Sequence, residues 1–314
     1  MTKFTRKRKI KILKNVFLFV SILSLFLIHF FIPRLITEIR NPIVGLIKRN
    51  KNIDFNIASK AKNNISRKEF TISSFDSVKL SARLTYSKLD ATKGTIILLH
   101  GIRSSKDTFF DLSTFLAENG YNSVALDARA HGKSEGQFCT FGVNEKVDVK
   151  YVVDYLINEE HLNNIGIWGQ SLGGAIGLQS MGFDKRISFG IIESTFSDFR
   201  TIVNDYFKLH VGFNFTPFTN YLVNRAGQIA EFNPNDANPS QFCSNITQPI
   251  LIVHGNKDER IKIDYGKENF NNIKSLNKTF IEIDTANHSN VWHVGGDSYF
   301  NNVLLFLDQQ KPIN

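Results

Sequence analysis

Cysteine occurs only twice in 314 residues, at Cys139 and Cys243. Two are too few for a disulfide-rich scaffold or a cysteine metal cluster. No H-E-x-x-H, C-x-x-C or glycine-rich phosphate loop is present, so neither metal nor nucleotide is implied and no cofactor is expected. Internal repeats are absent as well. Basic charge is scarce over most of the chain despite a formal net charge of +9. Residues 1–62 hold 14 Lys/Arg against 2 Asp/Glu, leaving 24 basic and 27 acidic residues in 63–314. The main body is therefore slightly acidic, which argues against nucleic acid as a partner.

Charge is missing altogether from one stretch. Residues 16–32 form a 17-residue run broken only by Ser21, Ser24 and His29. At 1.5 Å per residue it spans about 25 Å, and Leu35 and Ile36 can lengthen it. Lys3, Arg6, Lys7, Arg8, Lys9, Lys11 and Lys14 precede it, the pattern of a cytoplasmic amino terminus. Phe30-Phe31-Ile32-Pro33-Arg34 offers no small-x-small cleavage site, so an uncleaved signal anchor fits better than a removed signal peptide. Arg34, Arg40, Lys48, Arg49 and Lys51 follow the run and blur the charge contrast. The organisation read from this is a basic cytoplasmic segment at 1–15, a single transmembrane anchor at 16–36, a stem or linker at 37–66, and a globular domain at 67–314. That domain is expected on the outer, extracytoplasmic side of the membrane, with the helix projecting away from it.

From Glu69 onward strand-like and helix-like segments alternate. Phe70-Thr71-Ile72 and residues 78–86 read as an antiparallel pair. Thr95-Ile96-Ile97-Leu98-Leu99 is continuously apolar, as a strand buried on both faces should be. Further strands are predicted at 123–126, 165–168, 189–192, 250–253 and 280–283, with helices at 108–119, 143–158 and 298–307. The alternation predicts an α/β fold with a mostly parallel sheet covered by helices on both faces. Residues 200–245 break the rhythm and read as a small cap inserted over the functional edge.

Ser171 lies in Gly169-Gln170-Ser171-Leu172-Gly173, between a strand and a helix. A serine hydroxyl is a poor nucleophile unless a tight turn holds it near a base and near donors for the oxyanion. Ligands in such sheets bind beyond the carboxyl ends of strands. Asp258 follows Val253-His254-Gly255, His288 follows the strand ending at Ile283, and His100-Gly101-Ile102-Arg103 ends the strand 95–99. The order Ser171, Asp258, His288 and the backbone N–H groups of Ile102 and Leu172 supply every part of an acyl-transfer site. His293 is the rival base, and Glu259 and Asp284 are the rival acids.

Five segments carry a resemblance over about residues 68–312. They are Leu99-His100-Gly101, Asp127-Ala128-Arg129-Ala130-His131-Gly132-Lys133-Ser134, the elbow around Ser171, His254-Gly255-Asn256-Lys257-Asp258, and Ala286-Asn287-His288. The chain resembles the α/β-hydrolase superfamily, and Glu193-Ser194-Thr195-Phe196 is similar to its small-cap esterase and acylhydrolase branches. Ala130 and Asn287 each stand where the family usually has glycine. The resemblance implies a membrane-anchored serine hydrolase with a Ser171–Asp258–His288 triad, an Ile102/Leu172 oxyanion hole and a small-molecule ester or lipid-like substrate. The runner-up is an exopeptidase or amidase, which needs carboxylates for a substrate ammonium; Glu193 and Asp198 are the candidates. A non-catalytic binding module of the same fold is a third reading, disfavoured because all three triad positions are filled. The aromatic residues of 206–221 either line an acyl pocket or pack the insertion onto the body. Cys139 and Cys243 both lie near the functional edge, and two separate buried thiols are expected rather than a bridge.

Overall fold

In the computed structural model, which describes residues 3–40 and 65–310, eight strands form one sheet in the order β1-β2-β4-β3-β5-β6-β7-β8. The strands are β1 (Arg67–Ser73), β2 (Lys79–Thr85), β3 (Thr95–Leu99), β4 (Asn122–Leu126), β5 (Ile165–Gln170), β6 (Ile187–Glu193), β7 (Ile250–Gly255) and β8 (Lys278–Ile283). β1 and β2 pair antiparallel, as does β2 with β4, and β4 onward is parallel.

The apolar strands are central because both of their faces are covered. Side chains alternate across the sheet, so Ile97 and Leu99 enter one core and Ile96 and Leu98 the other. The first core is closed by α4 (Glu145–Asn158) and α5 (Leu172–Phe183), the second by α3 (Phe110–Glu118) and α10 (Val291–Asp308). α10 begins seven residues before the predicted start at 298, with a kink at Gly296 (φ 49°). Gly295 and Gly296 disguise its first turns as a loop.

Between β6 and β7 lie α6 (Phe199–Val211), α7 (Thr216–Ile229) and α8 (Pro239–Cys243). α9 (Ile263–Asn272) then leads to β8.

The amino-terminal segment corrects one expectation. α1 (Lys3–Phe26) passes through a π-helical turn at Leu27–Phe31 into α2 (Ile32–Thr37). Residues 8–27 are exposed apart from half-buried Ser21, whereas Pro33, Thr37 and Ile39 are buried against the body. The Arg40 guanidinium donates to the carbonyls of His131, Gly132 and Ser134, and Cys139 N–H donates to Thr37 O at 2.8 Å. The carboxyl end of the helix is thus docked on the α/β body instead of projecting from it. An apolar residue facing protein and one facing lipid are indistinguishable in sequence, which explains the difference. The stem assigned to 37–66 falls mostly on residues 41–64, outside those described, while 37–40 belong to the docked segment.

Candidate active site

The chain order places the topological switch at β3, whose successor β4 lies on one side and whose other neighbour is β5. Loops leaving β3 and β5 must diverge there and leave a crevice at their carboxyl ends. Ser171 stands in that crevice, directly after β5 and directly before α5.

Its backbone is strained, with φ 54° and ψ −116°. A non-glycine residue holds such a conformation only when its surroundings over-determine it. Here Ser171 N–H donates to Glu193 O at 2.9 Å, and Ser171 O accepts from Ala175 N at 3.1 Å and from Thr195 Oγ1 at 2.7 Å. The two glycines of the pentapeptide are demanded by contact. A Cβ on Gly173 would overlap Leu99 O, and one on Gly169 would overlap Gly173 O.

Ser171 Oγ lies 3.1 Å from His288 Nε2, and His288 Nδ1 lies 2.7 Å from Asp258 Oδ2. Each partner is held in turn. Asp258 Oδ1 accepts the N–H groups of Arg260 at 3.0 Å and Ile261 at 2.9 Å, and the residue is only 6% exposed. Burial by itself pushes the Asp258 carboxyl up, but hydrogen bonds from His254, His288 and Ile261 N–H outweigh it and bring it to about 2. It is therefore ionised across the neutral range. In the His288 loop, Asn287 Oδ1 accepts Ser289 N–H at 2.9 Å and Asn290 Oδ1 accepts Asn287 N–H at 2.7 Å. Asn287 thus takes a turn-forming role where the resembled family has glycine. Ala130, the other departure, carries φ 62°, which shows why glycine is usual there.

Ile102 sits half-buried in the loop after β3, and Leu172 is the buried first residue of α5. A Cβ built on Gly101 would lie 3.5 Å from Ser171 Cβ, so this loop passes directly over the serine. His100 fixes it from below: Nδ1 donates to Gly101 O at 2.8 Å and Nε2 accepts Ala128 N–H at 3.2 Å. Burial, together with neighbouring His131, lowers the His100 pKa to about 4, consistent with that neutral bridging form.

The rivals stand apart. His293 is exposed on α10, and Glu259 is exposed beside buried Asp258. Asp284 Oδ1 accepts from Asn256 Nδ2 at 2.8 Å. His131 Nδ1 pairs with Arg129 O, and His254 Nε2 with Ile261 O. Cys139 and Cys243 are both free and buried, and burial raises both thiol pKa values.

From the sequence Glu193 is either a substrate-facing carboxylate or, more readily, a strand-end residue. Its carboxylate is 2% exposed and accepts from Trp168 Nε1 at 2.6 Å, Gln170 Nε2 at 2.7 Å, Trp292 Nε1 at 2.8 Å and the Tyr299 hydroxyl. These donors come from β5 and α10, so the network ties the serine's strand to the helix behind His288. Burial raises the Glu193 pKa against the pull of these bonds. A glutamate ending a buried strand, with tryptophan and tyrosine elsewhere in the chain, was the only signal available. Asp198, the other carboxylate considered, caps α6 by accepting Thr201 N–H at 2.8 Å. Among the aromatics of 206–221, Phe207, Phe213, Phe215 and Phe218 pack on one another, with ring centroids 5.7–6.3 Å apart.

A family model described as serine aminopeptidase, S33, matches residues 90–211, which include Ser171 but neither Asp258 nor His288. The chain is 27% identical over 205 residues to the alpha/beta hydrolase domain-containing protein WAV2 of Arabidopsis thaliana, covering 61% of this chain and 62% of that protein. It is 23% identical over 228 residues to an uncharacterized protein of Bacillus subtilis, YqkD, covering 70% and 73%. Among solved structures, an esterase of Pyrococcus furiosus superposes with a TM-score of 0.65 at 25% identity, over 79% of this chain and 92% of that one.

Proposed function

From a chain that belongs to the α/β-hydrolase superfamily, we propose a membrane-anchored serine hydrolase that cleaves an ester through an acyl-enzyme intermediate. The observation that carries this reading is the continuous hydrogen-bonded line from Ser171 Oγ through His288 to Asp258. In the reaction, His288 Nε2 takes the Ser171 proton as Oγ attacks the ester carbonyl. Asp258, ionised and immobile, holds the proton on Nδ1 and stabilises the imidazolium. The N–H groups of Ile102 and Leu172 receive the oxyanion. His288 returns the proton to the departing alcohol, and a water activated by the same nitrogen then releases the acid.

An ester is favoured over a peptide by what the neighbouring carboxylates do. An aminopeptidase must offer a carboxylate to the substrate ammonium, yet Glu193 is buried under its own donors and Asp198 is bound to a helix terminus. The solved esterase neighbour points the same way. Supporting the anchor, the helix Arg8–Thr37 is long and apolar enough to cross a bilayer, and it follows basic residues. In this reading residues 1–15 are cytoplasmic, 16–36 span the membrane once, 37–66 join the anchor to the domain, and 67–314, with its cap at about 200–245, lies outside.

The test offers purified full-length enzyme p-nitrophenyl esters from acetate to palmitate and aminoacyl p-nitroanilides. Turnover of esters with at most trace release from the anilides is expected. Anilide turnover exceeding that of every ester would replace the esterase by the exopeptidase.

A further inference from the structure

The cap and the amino-terminal helix meet along a groove of about 690 Å³ lined by Leu25, Phe26, Ile28, Phe30, Phe218 and Tyr221. Polar contacts fasten the two sides. His29 Nδ1 lies 2.6 Å from the Tyr221 hydroxyl, and Arg225 Nε donates to His29 O at 3.2 Å. The only strongly polar side chain in the apolar run is thus bonded to the cap. From Phe218 the aromatic surface continues through Phe207 and Phe215 to Phe213, ring against ring. Phe213 and Phe215 are 58% and 51% exposed, and Leu209 and Val211 beside them are exposed too. Residues 209–216, Leu-His-Val-Gly-Phe-Asn-Phe-Thr, contain no carboxylate. A contiguous exposed apolar patch of this kind marks an interaction surface.

Helix length identifies what covers it. The part of the apolar run that precedes the groove, residues 16–24, is about 14 Å long at 1.5 Å per residue, against a hydrocarbon core of about 30 Å. Leu25, Phe26 and residues 28–30, further along the run, lie beside the cap. A helix that spans with this run therefore brings the cap's aromatic tip to the bilayer. Exposed aromatics, with Lys208 and His210 and no acidic residue in the sequence from 206 to 230, suit the level of the lipid headgroups.

We propose that the α6–α7 tip of the cap, Leu209 to Phe215, is seated in the lipid interface beside the amino-terminal helix. The carboxyl edge of the sheet, with Ser171, then faces the membrane; Arg103 of the loop above the serine already donates to Leu35 O at 3.1 Å. This surface rests on the reading of residues 16–36 as a membrane span, and the experiment separates the two. Full-length protein carrying a fluorophore at one introduced cysteine, in F213C, F215C, L18C or L276C, is reconstituted into phosphatidylcholine vesicles with or without brominated acyl chains. Cys139 and Cys243 are buried and leave the introduced thiol as the reactive one. Leu276 is fully exposed in the loop before β8, at the opposite edge of the sheet. Chains brominated near the glycerol end should lower the emission of F213C and F215C relative to unbrominated vesicles, because interfacial side chains reach about 5–10 Å into the headgroup/acyl boundary, and leave L276C unchanged. Quenching of L18C with F213C and F215C no more affected than L276C would overturn the seated cap and spare the anchor. Absence of quenching at L18C would overturn both.

Discussion

The crevice around Ser171 and the cap beside it are held by different forces. At the crevice, each of Ser171, His288 and Asp258 is fixed by directional bonds from loops leaving separate strands, and the serine's strained backbone is tied at both its N–H and its carbonyl. In the cap, rings lean on rings at 5.7–6.3 Å, and the principal side-chain fastening to the amino-terminal helix is the His29–Tyr221–Arg225 group. A site built from bonds tolerates little displacement, because a proton relay fails once its partners leave hydrogen-bonding reach. A surface built from apolar rings can slide or repack at small cost, which suits contact with a fluid bilayer.

The sharpest way to break this contrast is to remove the proposed base, His288. H288A should lower kcat on the order of 10⁵-fold while leaving the unfolding midpoint within a few degrees, measured by ester turnover and thermal denaturation. A kcat within tenfold of the parent would transfer the base to another group.

D258N should cost about 10⁴-fold, because the amide favours the wrong imidazole tautomer. The same variant carries a pH signature. Asp258 has a depressed pKa, about 2 in the folded chain. Its contribution to stability is therefore complete above the unfolded value of about 3.9 and is lost as pH falls through the folded one. Urea midpoints measured between pH 5 and pH 3 should decline less steeply in D258N than in the parent; parallel declines would mean that the carboxylate is not held as described.

Beneath the site, E193Q should destabilise by about 1–3 kcal/mol, since an amide NH₂ would face donors that need an acceptor. If the network positions β5 against α10, kcat falls while KM for a short ester barely moves. A rise in KM alone would place Glu193 in substrate binding instead. The smallest effect belongs to the cap: Y221F removes one hydrogen bond to His29 and should cost about 1 kcal/mol or less, read as a small shift in the unfolding midpoint of the detergent-solubilised chain.

The same contrast explains what the sequence discloses. β3 is legible because burial on both faces leaves no room for a polar residue; Ser171 and Asp258 stand out because each follows such a strand, and His288 because it trails β8, the half-exposed edge strand. The structure then places those three side chains in line. The partners of Glu193 are not legible, since nothing local announces that Trp168, Trp292 and Tyr299, from elsewhere in the chain, converge on it. The docking of residues 28–40 was invisible for a different reason: hydropathy records that Ile32 and Ile36 avoid water, not whether lipid or protein replaces it. Gly295-Gly296 hid the first turns of α10 because a kinked helix and a loop share those residues.

The central claim is that Ser171 carries the acyl group between two half-reactions. Acid-quenching the enzyme within its first turnover of p-nitrophenyl acetate, followed by peptide mass spectrometry, tests this directly. The account predicts a burst of p-nitrophenol matched by an acetyl group on the peptide containing Ser171, and neither burst nor adduct in S171A. Undiminished turnover by S171A, or an adduct on any other residue, would contradict it.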